Sequence, residues 1–212
     1  MPRTSERSGP QTRARISRVA TALILERGFD EVTVAEVARQ AGVSSVTVFK
    51  HFPRKEDLLL DRAPEAAEML RAAVRGATDA EAGRTGTSLE RALDAVEALT
   101  GRLAEERHAL SGLASGAGVF FRVVAESSSL ADRSREIAAE LEAVLATEME
   151  RIGVDRDDAL LAAALVIAGY ASVLVGTARR VIDGWAEPEL AADHRRRLGR
   201  LFAALRRGLA RE

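Results

Sequence analysis

Residues 33–60 read TVAEVARQAGVSSVTVFKHFPRKEDLLL, and the fold turns on how that stretch divides. Thr33 has Glu36 three residues on, the spacing of a capping box, in which each side chain satisfies the other's backbone N–H. Val34, Val37, Ala38 and Ala41 follow at helical spacing, which predicts a short helix with one apolar face. Gly42 stops it after barely two turns. Ser44 is expected to cap a second short helix that turns Val48 and Phe52 inward, and Pro53 ends that one. A longer helix is expected from near Arg54 to about Arg75, carrying Leu58, Leu59 and Leu60. Upstream, Ile16, Val19, Ala20, Leu23 and Ile24 space out a first helix from Thr12, stopped by Gly28, with Phe29 folding back onto the core.

Two short helices joined at a glycine form a helix-turn-helix pattern, whose second helix can enter a DNA major groove. Ser44, Ser45, Thr47 and Lys50 are short or flexible donors and acceptors suited to base edges, and Val46 suits a thymine methyl. The helix N-terminus offers backbone N–H groups to a phosphate. Lys50, His51 and Lys55 would add contacts to the DNA backbone, which set affinity more than sequence choice. The charge distribution agrees. Residues 1–55 hold ten Lys/Arg against five Asp/Glu, whereas residues 56–212 hold 21 against 27. A basic head on an acidic body suits a polyanion partner. Both lysines of the chain, Lys50 and Lys55, lie in the quoted stretch.

The rest of the 212 residues points to helices. Hydrophobic residues make up 47% but aromatics only 4%, so the core must be built from Ala, Leu and Val, a composition that favours helix over sheet. Helical patterns run over roughly 88–106, 109–127, 130–152, 155–183 and 189–210, and no alternation is long enough to demand a strand. The fold class is all-α. Residues 1–10 read as a mobile arm, 11–55 as the DNA-binding domain and 56–212 as a larger helical domain, with 76–88 a flexible connection. Cysteine is absent, which excludes disulfides and thiolate metal sites. No apolar run follows Arg3 and Arg7, so a cytoplasmic protein is expected.

An enzyme needs a constellation, and none is legible. The three histidines, His51, His108 and His194, lie in separate regions, and no metal-ligand spacing, nucleophile elbow or phosphate loop occurs. GLASGAG (112–118) lacks the Lys-Ser/Thr of a phosphate loop and reads as a helix junction. No catalytic residue, metal or cofactor is expected. Ala159–Ala178 is twenty residues without a charge, the length of a membrane span. A helix apolar all round must be buried, either in lipid or between a protein core and a second subunit. The final helix carries Leu198, Leu201, Phe202, Leu205 and Leu209 on one stripe, suited to a helix partner.

Residues 13–60 resemble the DNA-binding domain of the TetR family of bacterial transcription regulators. The resemblance is carried by Gly28-Phe29, Thr33, Ala38, Ala41-Gly42-Val43-Ser44, Phe49, Phe52, Lys55-Glu56 and Leu58. It implies a homodimer that binds a palindromic operator in double-stranded DNA and is released by a small-molecule effector. Thr33 and Lys55 would then hold phosphates, while Ser44, Ser45 and Thr47 face bases or nearby phosphates. Phe49 stands where the family usually has Tyr, which removes a phenolic hydrogen bond to phosphate, and Val46 stands where a small residue is usual. The last two helices would make the dimer interface, through Leu165, Ser172, Leu198, Leu201, Phe202 and Leu205. Polar and aromatic residues within apolar helices are the effector candidates: His108, Phe121, Arg122, Glu126 and Tyr170. Arg122 and Glu126, four apart, could instead pair with each other. A constitutive dimer without a ligand and a membrane-tethered regulator are the alternative readings.

Overall fold

The computed structural model describes residues 8–79 and 86–209. Among them the chain is helical, with no strand. The helices are α1 (Ser8–Arg27), α2 (Val34–Ala41), α3 (Ser45–His51), α4 (Ala63–Asp79), α5 (Ser88–Glu105), α6 (Ala117–Glu126), α7 (Ser128–Arg151), α8 (Arg156–Ile182) and α9 (Glu187–Leu209). Short 3-10 turns stand at Glu56–Leu58 and Ala109–Ser111. Of the arm read over 1–10, residues 8–10 belong to α1 and the rest lies outside the described residues. Of the connection read over 76–88, residues 76–79 complete α4, and 80–85 lie outside them too.

Two compact units form. The first comprises residues up to Asp61 together with Val119–Ser134, and the second Arg62–Gly118 with Arg135–Glu212. The first unit thus recruits a segment far along the chain. Val123 and Leu130 are buried in one cluster with Ile16, Ile24, Val37, Val48 and Phe52, and Arg133 Nε bonds Asp57 Oδ1 at 2.9 Å. Nothing in the local sequence announces that recruitment, because an apolar residue on an amphipathic helix looks the same whichever core it enters.

The start of α4 differs from the sequence expectation. A 3-10 turn and a bend occupy residues 56–62, and the helix begins at Ala63, not near Arg54. Pro64 explains this. Its missing N–H and fixed φ are tolerated in the first turn of a helix and not in its interior. The pattern read as one helix over 109–127 is likewise broken. Gly112 and Gly116 have φ of +73° and +80°, and α6 starts only at Ala117. The Ser111 hydroxyl, fully buried, donates to His108 O at 2.7 Å and accepts from Leu113 N at 3.2 Å, fixing the turn. The Gly-rich 112–118 stretch is therefore a helix junction.

The second unit is organised around α8 and α9, with α5 against α9 and α4 against α5. Gly169 on α8 faces Leu201, and Gly176 faces the Arg197 guanidinium; a Cβ at either glycine would overlap those side chains. Polar groups bind the two helices as well. Thr177 Oγ1 lies 2.9 Å from Val173 O, 2.9 Å from Arg197 Nη2 and 2.8 Å from His194 Nδ1, while Arg197 Nε bonds Asp193 Oδ2 at 2.8 Å. With its own proton given to Val173 O, Thr177 meets His194 only as acceptor. That places the imidazole proton on Nδ1 and leaves Nε2 a bare lone pair, buried without a partner.

Candidate nucleic-acid interface

The quoted stretch folds as two helices held at a left-handed turn. Thr33 caps α2, its Oγ1 accepting from Glu36 N at 3.2 Å. The reciprocal half of the capping box is replaced, because the Glu36 carboxylate takes Arg27 Nη1 at 2.6 Å. Gly42 ends α2 at φ +66°, and Val43 N reaches back to Ala38 O at 2.9 Å. That closure satisfies carbonyls the helix leaves open, and an L side chain at this φ is strained. Ser44 then caps α3, accepting from Thr47 N at 3.1 Å. Val48 and Phe52 are fully buried, which fixes the face of α3 that points outward.

On that outer face stand Val46, Phe49 and Lys50, all exposed. Ser45, Thr47 and His51 flank it, half-buried, and Ser44 is exposed at its start. The Ser44 and Thr47 hydroxyls are also bonded to each other at 2.9 Å, so the pair has one hydroxyl hydrogen left to offer. Lys55 stands at the following 3-10 turn, its Nζ 4.3 Å from the centre of the Phe29 ring, a cation–π placement that holds the ammonium near the start of the turn. Arg13 lies over Phe52 in the same way, at 4.4 Å. From Val37 to Lys55 the chain has Arg39, Lys50, Arg54 and Lys55 and no acidic residue. Arg39, exposed on α2, belongs to that cationic run and was not among the residues singled out from the sequence; the absence of acids between Glu36 and Glu56 is the signal that identifies it.

The effector candidates divide between the two units. Phe121, Arg122 and Glu126 lie on α6 in the first unit, where Arg122 and Glu126 are exposed and form no pair with each other. Phe121 stacks edge-on with Phe120, ring centres 5.7 Å apart. His108 and Tyr170 lie in the second unit. The His108 ring caps a turn through Nδ1, which accepts from Leu110 N at 3.3 Å, and its Nε2 lies 3.3 Å from Glu65 Oε1. Tyr170 donates its hydroxyl to Leu110 O at 3.0 Å, and burial pushes that phenol above its usual range. Two open grooves of about 410 and 280 Å³ lie elsewhere. One is lined by Trp185, Pro188, Glu189, Ala192 and Arg196, the other by Arg71, Arg75, Ala143, Val144, Thr147, Glu148 and Arg151.

The interface candidates divide. Leu198, Phe202 and Leu205 are buried in the chain's own core against α5 and α8, so they are not available to a second copy. Leu201 is half-buried over Gly169. Leu165 and Ser172 are exposed, and they belong to a longer row: Leu161, Leu165, Ala168, Ser172, Val175, Arg179 and Ile182 are all exposed on α8, spaced alternately four and three apart. α8 has the length and mean hydropathy (2.2) of a membrane span, and a third of its most apolar window is buried within the protein.

Fold and site together define a helix-turn-helix domain joined to a larger all-helical domain. Residues 16–61 match the family model described as bacterial regulatory proteins, tetR family. Over that stretch, about a fifth of its length, the chain is similar to the TetR family. Among curated relatives, uncharacterised helix-turn-helix-type transcriptional regulators of Mycobacterium tuberculosis and Mycobacterium bovis are each 42% identical over 48 residues, 23% of this chain and 25% of the relative. The matched stretch thus spans about a quarter of those relatives' length. Among solved structures, NalD of Pseudomonas aeruginosa, the secondary repressor of the MexAB-OprM multidrug efflux pump, is 16% identical, with coverage of 97% of this chain and 98% of that one and a TM-score of 0.55. A TetR-family regulator of Streptomyces coelicolor is 20% identical over 96% and 99% of the two chains, with a TM-score of 0.50. The fold is shared over nearly the whole chain, whereas the family model matches residues 16–61.

Proposed function

We propose that the chain is a transcriptional repressor that binds a palindromic operator as a homodimer in the cytoplasm and is released by a small-molecule effector. The observation that carries this is α3: a short helix with its inner face locked by Val48 and Phe52, its outer face open, and a cationic run free of acidic residues around it. A helix so presented fits the major groove, and the flanking cations fit the phosphates on either side. Thr33 and Lys55 are assigned to phosphate, and Ser44, Ser45, Val46, Thr47, Phe49, Lys50 and His51 to the groove and its rim. The likeness to NalD in fold favours a repressor over other uses of the same domain.

Dimerisation is supported by the exposed row on α8. Leu161, Leu165 and Val175 lie open to solvent on a seam with the four–three spacing of packed helices, and a second copy would cover them. The likeness of residues 16–61 to that family supports release by an effector, which must bind the DNA-incompetent state more tightly to shift the equilibrium.

Selection of bound duplexes from a random pool tests the reading. An inverted repeat is expected, with half-sites a whole number of helical turns apart. No enrichment of any sequence, or a single asymmetric site bound by a monomer, would overturn it.

A further inference from the structure

Three large hydrophobic side chains are exposed in the first unit among the described residues, and two of them, Val46 and Phe49, are on the seven-residue α3. Val46 is 79% exposed and Phe49 49%. Three residues apart on a helix, they share a face, and Lys50 stands beside them. An apolar pair on the outer face of a small domain is a cost in water unless something covers it. The surrounding charge says what that is: Arg39, Lys50, Arg54 and Lys55 with no intervening acid favour a polyanion over an apolar protein surface.

One polar pair at the start of α3 is partly committed within the helix. Ser44 Oγ accepts from Thr47 N, and the two hydroxyls share a further bond. At Phe49 there is no phenolic oxygen to reach a phosphate. Beside the polar groups that remain, α3 offers the floor of a major groove an isopropyl group and a phenyl ring, its most exposed apolar groups. The one apolar group on a base edge there is the 5-methyl of thymine.

From this we infer that Val46 and Phe49 select the operator by apolar contact with thymine 5-methyl groups, at one or two fixed positions in each half-site. The inference rests on the DNA-binding reading above and adds the chemistry by which the helix chooses its sequence. The Ser44–Thr47 pair serves to hold the helix start, and Lys50 anchors the rim.

Replacing thymine by uracil removes the methyl and leaves every hydrogen-bonding group in place, so it isolates the contact. In synthetic duplex without cytosine methylation, thymine is the sole source of that group. Each thymine of the selected half-site is replaced in turn, and the dissociation constant is measured at one salt concentration. Wild type should lose about fourfold at one or two positions, the fold-change equivalent to about 0.8 kcal/mol for a buried methyl-sized group. Val46→Ala should bind the thymine duplex about as weakly as wild type binds the uracil one, with its own uracil penalty gone at that position. Phe49→Ala should do the same at a neighbouring position, and Lys55→Ala should weaken binding while keeping both penalties. Circular dichroism melts of the variants should match wild type, since both side chains are exposed. A duplex that wild type binds with no uracil penalty anywhere overturns the inference and leaves DNA binding standing. So do penalties that persist unchanged in both α3 variants. Failure of wild type to enrich any sequence overturns the DNA-binding reading itself, and this inference with it.

Discussion

Lys55 and His194 are both single side chains with definable free energies, and they act in opposite ways. Lys55 sits at the edge of the proposed interface and carries charge rather than shape. Lys55→Ala should therefore weaken binding to all duplexes alike and reduce the slope of log K against log salt by roughly one, as the loss of one phosphate contact requires. Quantitative binding at several salt concentrations measures it; a changed sequence preference would contradict the assignment. His194 acts inside the second unit. Burial, reinforced by the Arg197 charge and partly opposed by Asp193, pushes its imidazole down to about 4. The folded state then binds fewer protons than the unfolded chain, whose imidazole titrates near 6.5. Stability is thus full above about pH 6.5, falls as the pH drops toward 4, and loses no more to this group below that. At 1.36 kcal/mol per unit the total is on the order of 3 kcal/mol. Urea melts across this pH range should show the slope, and His194→Gln should flatten it. The Glu148 and Asp193 carboxylates are held low by Arg75 and Arg197 in spite of burial, so their contribution is lost only at still lower pH.

At the scale of the element, α9 departs from the interface role the sequence suggested for it, while α8 leaves the residues named there, Leu165 and Ser172, exposed. The leucine stripe of α9 is spent on the protomer, while the row from Leu161 to Ile182 on α8 is open. Two substitutions separate these uses. Leu165→Glu should leave the chain folded, since its site is exposed, but dissociate the proposed dimer by placing an unpaired charge in its seam, at a cost of several kcal/mol. Operator binding would then weaken, because one half-site makes too few contacts. Phe202→Ala should do the reverse, costing about 3–5 kcal/mol of protomer stability through the cavity it leaves in the core. Sedimentation and denaturant melts on both variants decide the assignment. If Leu165→Glu remains dimeric, the seam lies elsewhere.

For the whole molecule the consequential feature is that the first unit is completed from afar. Val123 and Leu130, 7% and 0% exposed, belong to its core. Burying residues of this size is worth about 1.5–3 kcal/mol each, a large share of the roughly 5–15 kcal/mol that stabilises a domain. A fragment ending at Asp61 lacks both side chains and the Asp57–Arg133 bond. It should melt well below the intact chain and bind DNA weakly, whereas the same helix-turn-helix within the full chain should be protected from hydrogen exchange. A fragment as stable as the intact protein would show that these contacts contribute little.

Much of this was written locally. The T-x-x-E spacing at Thr33, the left-handed Gly42, the Ser44 cap and the inward Val48 and Phe52 set α2 and α3, because each depends on neighbours within four residues. Pro64 equally marked the start of α4, although the leucines before it suggested a longer helix. The same T-x-x-E spacing at Thr87–Glu90 closes a full capping box, with bonds of 3.2 and 2.7 Å, where that at Thr33 closes half of one. A distant Arg27 claims the carboxylate in one case and nothing does in the other. Composition pointed to the all-helical class, since a chain with only 4% aromatics must build most of its core from aliphatic side chains. What only the tertiary structure decided was which partner each apolar face meets. Hydrophobicity is non-directional: Leu165 and Leu205 carry the same driving force for burial, and only the packing of α9 against α5 and α8 buries one in the protomer and leaves the other exposed.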